Sequence, residues 1–404
     1  MREIYLKFSE KGKYDVKIET IEEMSSSIFL DSYIQAYKEL YTISFESKNN
    51  DEIDRNNIIA FLGERGSGKT SCMRSFLGSL RCLDEHNFIL EDEKLKKNLE
   101  KFSKINFEIL NIVEPSFFSE KINVIELVVS NMFKNFSIEI EKNNKDYEMK
   151  RTLLKNFQEI FKNMKYMKCS EAYQNSEIEE LITLSTSVDL KKHLSELIEQ
   201  YLKLFSKDKL IISIDDIDLN TKFAYSMAED VRKYLSIPNV IIVLALKLEQ
   251  LKTIITKEYI EEYEHLLKDK TVIYDDYNRY VMKDIENRVE KYLLKLIPYE
   301  RRIYLKNLDS FDDNVKIFIN GKPLNIQNEK IQDIILNFIF KETDMLFMKP
   351  EYNISKIIPT NLRELVGFTA ILGKMDTSYD SRKMKNENYK ILKNYLYTLS
   401  LIHI

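Results

Sequence analysis

Glycine and proline are scarce in this chain, with 8 and 6 among 404 residues. Glycine is therefore about 2% of the chain, against a usual ~7%. So few turn-formers disfavour sandwiches and barrels of many short strands, and exclude collagenous or Gly/Ser-linker architectures. Long helices fit better. Cysteine is scarce too. Cys72, Cys82 and Cys169 are odd in number and form no C-x-x-C pair, which excludes a disulfide framework and a cysteine zinc site. A reducing compartment fits that usage. His86, His193 and His265 stand apart, without metal-ligand spacing. An excess of one charge is lacking as well: 61 basic and 65 acidic residues leave a net charge of −4. No global field drives the chain onto DNA or an anionic membrane. Long apolar runs are missing. The most apolar short run, residues 240–246, falls far below the ~20 residues of a membrane span. Residues 1–10 have no apolar signal core. The expectation is a cytoplasmic chain with no membrane partner.

Hydrophobic residues make up 44% and charged residues 31%, a balance that suits a globular protein. The length suggests two or three domains. Three of the eight glycines, Gly63, Gly66 and Gly68, fall within six residues.

That cluster has a defined context. Residues 57–62 (NIIAFL) form a short apolar run before it. Residues 70–80 follow, with Cys72, Met73, Phe76, Leu77 and Leu80 at helical spacing. The order is strand, Gly-rich turn, helix. Gly63-Glu64-Arg65-Gly66-Ser67-Gly68-Lys69-Thr70, continued by Ser71, fits G-x-x-x-x-G-K-[ST] in full. Glycines let backbone N–H groups turn inward and approach phosphate oxygens. The helix N-terminus favours an anion. Lys69 would reach the β- and γ-phosphates, and the Thr70 hydroxyl would ligate Mg²⁺.

A second motif lies about 145 residues on, at residues 210–216 (LIISIDD). It places Asp215 and Asp216 at the carboxyl end of an apolar strand, the edge where α/β sheets bind ligands. Asp215 would hold the Mg²⁺ shell. Asp216 would orient or deprotonate an attacking water. Asp218 lies two residues further on.

Elsewhere, residues 4–8 could be a strand and residues 28–41 a helix, followed by a polar loop at 47–57. Residues 81–104 are charged and helical in character. Residues 106–113 and 239–246 read as further strands, and 303–305 as a fifth. Residues 123–136 and 188–205 read as amphipathic helices, flanking a long charged stretch, helical in part, at 137–186. Met282, Ile285, Val289, Leu293 and Leu296 form a stripe ended by Pro298. Asn320-Gly321 marks a hairpin within 315–326. Fully apolar strands separated by helices indicate a parallel sheet covered on both faces. The fold class expected is α/β, a P-loop NTPase with helical insertions and a helical C-terminal lid.

An N-K-x-D base reader and an L-S-G-G-Q-like signature are absent, which sets aside GTP-specific and ABC-type classes. The run 209–251 (KLIISIDDIDLN, then AEDVRKYLSIPNVIIVLALKLEQL) resembles KAP-type and STAND-type P-loop ATPases of the AAA+-related group. Residues 110–133 are similar to that family's second strand and helix. Residues 289–305 resemble its segment before the fifth strand, and 358–365 its sensor-2 helix. The nearest subset is the ATPases of bacterial anti-phage systems, such as the ATPase partner in RADAR. The resemblance spans roughly residues 50–398.

It implies ATP and Mg²⁺ as cofactors, and hydrolysis coupled to an oligomerising switch or motor, plausible in anti-phage defence. Arg363 would be a sensor-2 arginine. Arg301 or Arg302 would be an arginine finger acting across a subunit boundary in a homo-oligomer, with an effector protein as a further partner. Lys247 occupies the sensor-1 neighbourhood, where a small polar residue is usual, and many family members carry a membrane hairpin that this chain lacks. The domain division expected is a lead-in at 1–50, an ATPase core at 51–306 with a helical insertion near 137–205, and a hairpin plus helical lid at 307–398. Residues 399–404 do not continue the preceding helical pattern and read as a non-native tail of a truncated reading frame. The lysine-rich stretch 134–168, with aromatics interleaved, could touch nucleic acid, although such a pattern is more often a wet helix face. Alternatives to a motor are a nucleotide-gated scaffold with little hydrolysis and a DNA-remodelling ATPase.

Overall fold

The computed structural model describes residues 4–8, 27–46, 56–81, 105–117, 123–142, 147–169, 177–263, 275–308, 315–319, 322–324, 330–346, 358–375, 377 and 381–402. The chain divides into two compact units. The larger comprises Gln35–Leu62 and Leu80–Ile303. The smaller comprises Met1–Ile34, Gly63–Ser79 and Tyr304–Ile404. Helices α1 (Leu30–Glu46) and α2 (Lys69–Arg81) each carry residues of both.

The larger unit is built on a sheet of β2 (Ile58–Leu62), β3 (Phe107–Ile109), β4 (Lys209–Asp215), β5 (Val240–Leu246) and β6 (Arg302–Tyr304), ordered β3-β4-β5-β2-β6. The β2–β5, β3–β4 and β4–β5 pairs are parallel. Every residue of β2 and β5 is buried. Ile58, Ala60 and Leu62, with Ile212, Ile214, Ile242 and Leu244, share one core with the helices. The intervening Ile59, Phe61, Ile211, Ile241 and Val243 are equally buried. Both sheet faces are thus covered, which is why these strands read as unbroken apolar runs.

The helices of this unit are α3 (Val124–Lys142), α4 (Tyr147–Cys169), α5 (Glu177–Leu204), α6 (Ala224–Tyr234), α7 (Leu248–Glu262) and α8 (Asp275–Leu296). Helix α5 starts before residue 188, and α4 fills part of the charged stretch. β3 is shorter than the expected 106–113, but its ladder with β4 continues. Leu110 N–H donates to Ile211 C=O at 3.1 Å and Val113 N–H to Ser213 C=O at 2.8 Å. On α8 the buried stripe runs through Val281, Ile285, Val289, Leu293 and Leu296; Met282 is exposed instead. Val281 lies four residues before Ile285 and so falls nearer the stripe than Met282. Two asparagines close the lower edge. Asn57 Nδ2 donates to the carbonyls of Leu235 and Val240, each at 2.9 Å. Asn56 Nδ2 donates to those of Lys295 (3.0 Å) and Leu296 (2.8 Å), capping the end of α8.

In the smaller unit, β1 (Ile4–Phe8) runs parallel to β7 (Val315–Ile319), with Ile4 opposite Val315. β7 pairs antiparallel with β8 (Lys322–Pro323), giving the hairpin; Asn320 and Gly321 lie outside the described residues. The first residues are thus built into a sheet with the hairpin. Helices α9 (Ile331–Thr343), α10 (Leu362–Leu372) and α11 (Arg382–Ile402) follow. Ile334, Ile335, Ile339, Leu365, Phe368 and Leu392 share their core. The backbone of α11 runs on to Ile402, past the point where the sequence pattern breaks. Residues 403 and 404 lie outside the described residues, as do 82–104 and the polar stretch 47–55.

Candidate functional site

The glycine-rich loop at 63–68 belongs to the smaller unit. Ser67 N–H donates to Glu64 C=O at 3.2 Å, closing a turn whose third residue is Gly66. Gly66 and Gly68 take φ of 84° and 90°, conformations open to glycine and strained for side-chain-bearing residues. Gly68 C=O accepts the first helical bond, from Cys72 N–H at 2.8 Å. The N–H groups of Thr70 and Ser71 therefore have no carbonyl of their own helix to bond, the usual condition of an anion-binding helix start. Lys69 is buried. Its Nζ donates to Gly63 C=O and Glu64 C=O, each at 3.0 Å, so the ammonium lies along the loop rather than in solvent. Glu64 and Arg65 are exposed at the tip. The Ser67 hydroxyl is buried without a hydrogen-bond partner among the described residues.

The loop is also packed from outside. A Cβ on Gly66 would lie 2.5 Å from Asn361 Oδ1, and one on Gly68 would lie 2.6 Å from the Phe29 ring. Arg363 N–H donates to Gly66 C=O at 3.0 Å. This contact is made by the first turn of α10, where Asn361 Oδ1 accepts Glu364 N–H at 3.0 Å. Glu364 in turn accepts from Thr360 N–H (2.9 Å) and Thr360 Oγ1 (3.0 Å). These are reciprocal caps. Burial alone would raise the Glu364 carboxyl, but the bonds from Thr360 and Asn361 hold it below its ordinary value. The backbone of Arg363 thus touches the glycine-rich loop. Asn361, which sequence reading passed over, both caps α10 and abuts Gly66. An N-cap asparagine three residues before a glutamate was the available signal.

Cys72, one turn into α2, is sealed in the interior. Burial pushes its thiol well above the ordinary value, against a hydrogen bond to Tyr33. It has the character of a core residue rather than a nucleophile.

The acidic strand end belongs to the larger unit. β4, β5 and β2 finish on the same edge, with Asp215 opposite Ala245 and Ala245 opposite Phe61. β5 therefore lies between the strand bearing the acids and the strand that the chain leaves at Leu62 to enter the loop. Asp215 is buried and its backbone is pinned, its N–H donating to Val113 C=O at 2.9 Å. Asp216 is half-buried and left-handed, at φ 52° and ψ 36°. It opens a 3₁₀ turn, Ile217–Leu219, and its N–H donates to Ala245 C=O at 3.0 Å. Asp218 is buried. Its Oδ2 accepts Lys247 N–H at 3.2 Å and its carbonyl accepts Gln250 Nε2 at 3.0 Å. The third acid therefore anchors the start of α7, and the backbone of Lys247 serves that anchor.

The two arginines before β6 are not displayed at the surface. Arg301 Nη1 meets Glu39 Oε2 at 2.5 Å and Glu39 C=O at 3.1 Å. Burial raises the Glu39 carboxyl, while Arg301 pulls it down. Arg302 is 6% exposed, donates from Nε to Ile297 C=O at 2.9 Å and stacks on the Tyr299 ring at 4.5 Å. A group that acts across a subunit boundary must project from its own subunit. Both guanidiniums are instead held inside this chain, so their placement is that of fold-stabilising residues.

Among the described residues, no cluster of His, Cys, Asp or Glu forms a metal cage by itself. None of the helices described is long and apolar enough to cross a membrane. His193 Nδ1 lies 3.1 Å from Asn163 Nδ2, bridging α5 and α4.

No family model matches the chain, and no curated protein matches it. Among solved structures, the structure of C. elegans PCH-2 aligns over 96% of this chain and 73% of that one, at 11% identity and a TM-score of 0.27.

Proposed function

We propose that the chain binds ATP with Mg²⁺ on residues 63–71 and hydrolyses it to drive an oligomerising switch or motor, with anti-phage defence as its setting. One observation carries the reading. The G-x-x-x-x-G-K-T sequence is folded as a glycine turn that opens directly into a helix start, with Lys69 laid along the loop. Two features fit a phosphate there: the Thr70 and Ser71 N–H groups at the helix start, and a buried Ser67 hydroxyl without a partner among the described residues. Backbone N–H groups of the loop and Lys69 would hold the phosphates. Thr70 and Asp215 would hold Mg²⁺, which supplies charge neutralisation at the β- and γ-oxygens. Asp216 would take the proton of the attacking water. Arg363 would supply the sensor-2 charge.

A nucleotide-gated scaffold with little turnover is the second reading. Asp216 favours it, because an aspartate is one methylene shorter than a glutamate and this one starts a turn in a strained backbone.

Binding of a fluorescent ATP analogue and release of phosphate, each with and without DNA, test these readings. Lys69→Ala should weaken binding about 10- to 100-fold, the worth of a charged hydrogen bond. Asp216→Asn should keep binding and lose turnover about 100-fold or more. Unchanged binding in Lys69→Ala sinks the site. Binding with negligible turnover in the parent chain selects the scaffold, and stimulation by DNA selects a remodelling enzyme.

A further inference from the structure

Helices α3 and α4 concentrate exposed apolar surface. Of the sixteen large apolar side chains exposed among the described residues, seven fall between Phe133 and Phe161. Their spacing is regular. On α4, Tyr147, Leu154 and Phe161 recur every seventh residue, about 10.5 Å apart along the axis. They form a straight stripe, drifting only ~20° per repeat. Tyr147 and Phe161 are 72% and 65% exposed. Arg151 and Lys165 follow Tyr147 and Phe161 by four residues and so share the face. Exposed Glu148 follows Tyr147 by one residue, about 100° round the helix; Glu159 lies about 160° from Phe161, and on α3 exposed Glu141 follows Ile140 by one residue.

This face is the outer side of a packed pair. Leu153, Phe157, Ile160 and Met164 bury the adjoining side of α4 in the core, about 90° round the helix from this stripe. The Phe133 ring of α3 meets Phe157 edge-on at 5.3 Å, and Lys150 Nζ donates to Glu139 C=O at 3.0 Å. Phe133 and Ile140, again seven apart, are 42% and 41% exposed on α3. Two heptad-spaced apolar rows therefore run on one helix pair, beside a basic margin.

We infer that the exposed face of α3 and α4 is a docking surface for an acidic amphipathic helix of a partner protein. Heptad spacing on both helices matches the anchors of a helix laid alongside. Arg151 and Lys165 supply charge complementary to acidic flanks. Nucleic acid fits less well. Tyr147 and Phe161 are about 21 Å apart on one helix, too far to stack neighbouring bases, and Leu154 and Ile140 present no ring.

The test uses the full chain and a fluorescein-labelled designed peptide of about three heptads, with leucine on one face and glutamate on the other. A twin carries lysine for glutamate, and single-stranded DNA serves as competitor. Anisotropy should show binding of the acidic peptide, with the lysine twin at least about tenfold weaker. Leu154→Ser with Phe161→Ser, and separately Arg151→Glu with Lys165→Glu, should each weaken binding at least about tenfold. Both pairs are exposed, so thermal melts should stay unchanged; Lys165→Glu alone serves if either double variant melts early. The inference is overturned if the acidic peptide fails to bind, if the twin binds equally, if the variants bind as the parent does, or if DNA displaces the peptide.

Discussion

Asp216 holds a left-handed backbone at the end of a strand whose other residues are extended and paired. Aspartate tolerates that region better than most residues, yet it still costs of order 1 kcal/mol, and glycine does not incur it. Asp216→Gly should therefore raise stability by about 0.5–1 kcal/mol while abolishing turnover, and Asp216→Ala should be less stable than the glycine variant. Melting curves beside phosphate release check this. Equal melting of the two variants would show that the conformation stores no strain. Glycine substitutions in the loop are less informative. Gly66→Ala meets Asn361 and Gly68→Ala meets Phe29, so packing would fail before any ligand is considered. Lys69 is the cleaner probe.

At the scale of elements, two carboxylates give opposite pH dependences. Glu364 caps α10 and its folded value lies below 4.5. Its contribution is complete above 4.5 and is lost as pH falls through the folded value. Because α10 donates Arg363 N–H to Gly66, acid should loosen the loop contact, and Glu364→Gln should show less change of nucleotide affinity between pH 6 and 4 (about) than the parent. Asp230 on α6 behaves the other way. Burial raises it from 3.8 to about 7, aided by Glu229 and Glu126 and opposed by Lys233 and the Val124 N–H bond. Its contribution is complete below 3.8 and is lost as pH rises towards about 7. Asp230→Asn keeps the acceptor without the charge, so its melting temperature should exceed that of the parent more at alkaline than at acid pH. An equal gain at both would assign the effect to packing.

The elements differ in how far they could be read from sequence. β2 and β5 were legible because burial on both faces leaves only apolar residues, and β4 because its buried stretch is apolar but for Ser213 and the closing Asp215. The hairpin was legible from one Asn-Gly step. The pairing of β1 with β7 was not, because strand-forming residues at 4–8 carry no mark of a partner more than 300 positions away. Within the site, the loop motif is local and could be read whole. The role of Asn361 depends on a turn 295 residues from Gly66, a separation (361 minus 66) that no spacing rule crosses.

On the scale of the whole molecule, Arg301 and Arg302 decide how an assembly could work. Motif position suggests a group shared between subunits, yet Arg301 is paired with Glu39 and Arg302 with Ile297 C=O. Breaking a buried pair from one side costs about 3–5 kcal/mol, so Arg301→Ala should lower the melting temperature sharply. Mixing separates stability from cooperation. An Asp216→Asn chain lacks that carboxylate but keeps Arg302, and an Arg302→Ala chain lacks the arginine but keeps the carboxylate. Were Arg302 to act on a neighbour, a mixture of the two would regain turnover that neither has alone. Because the guanidinium is enclosed by its own chain, the mixture should show no more than the sum of its parts. Recovered activity in mixed assemblies, with both variants folded, would return Arg302 to a role between subunits and would require β6 to release it.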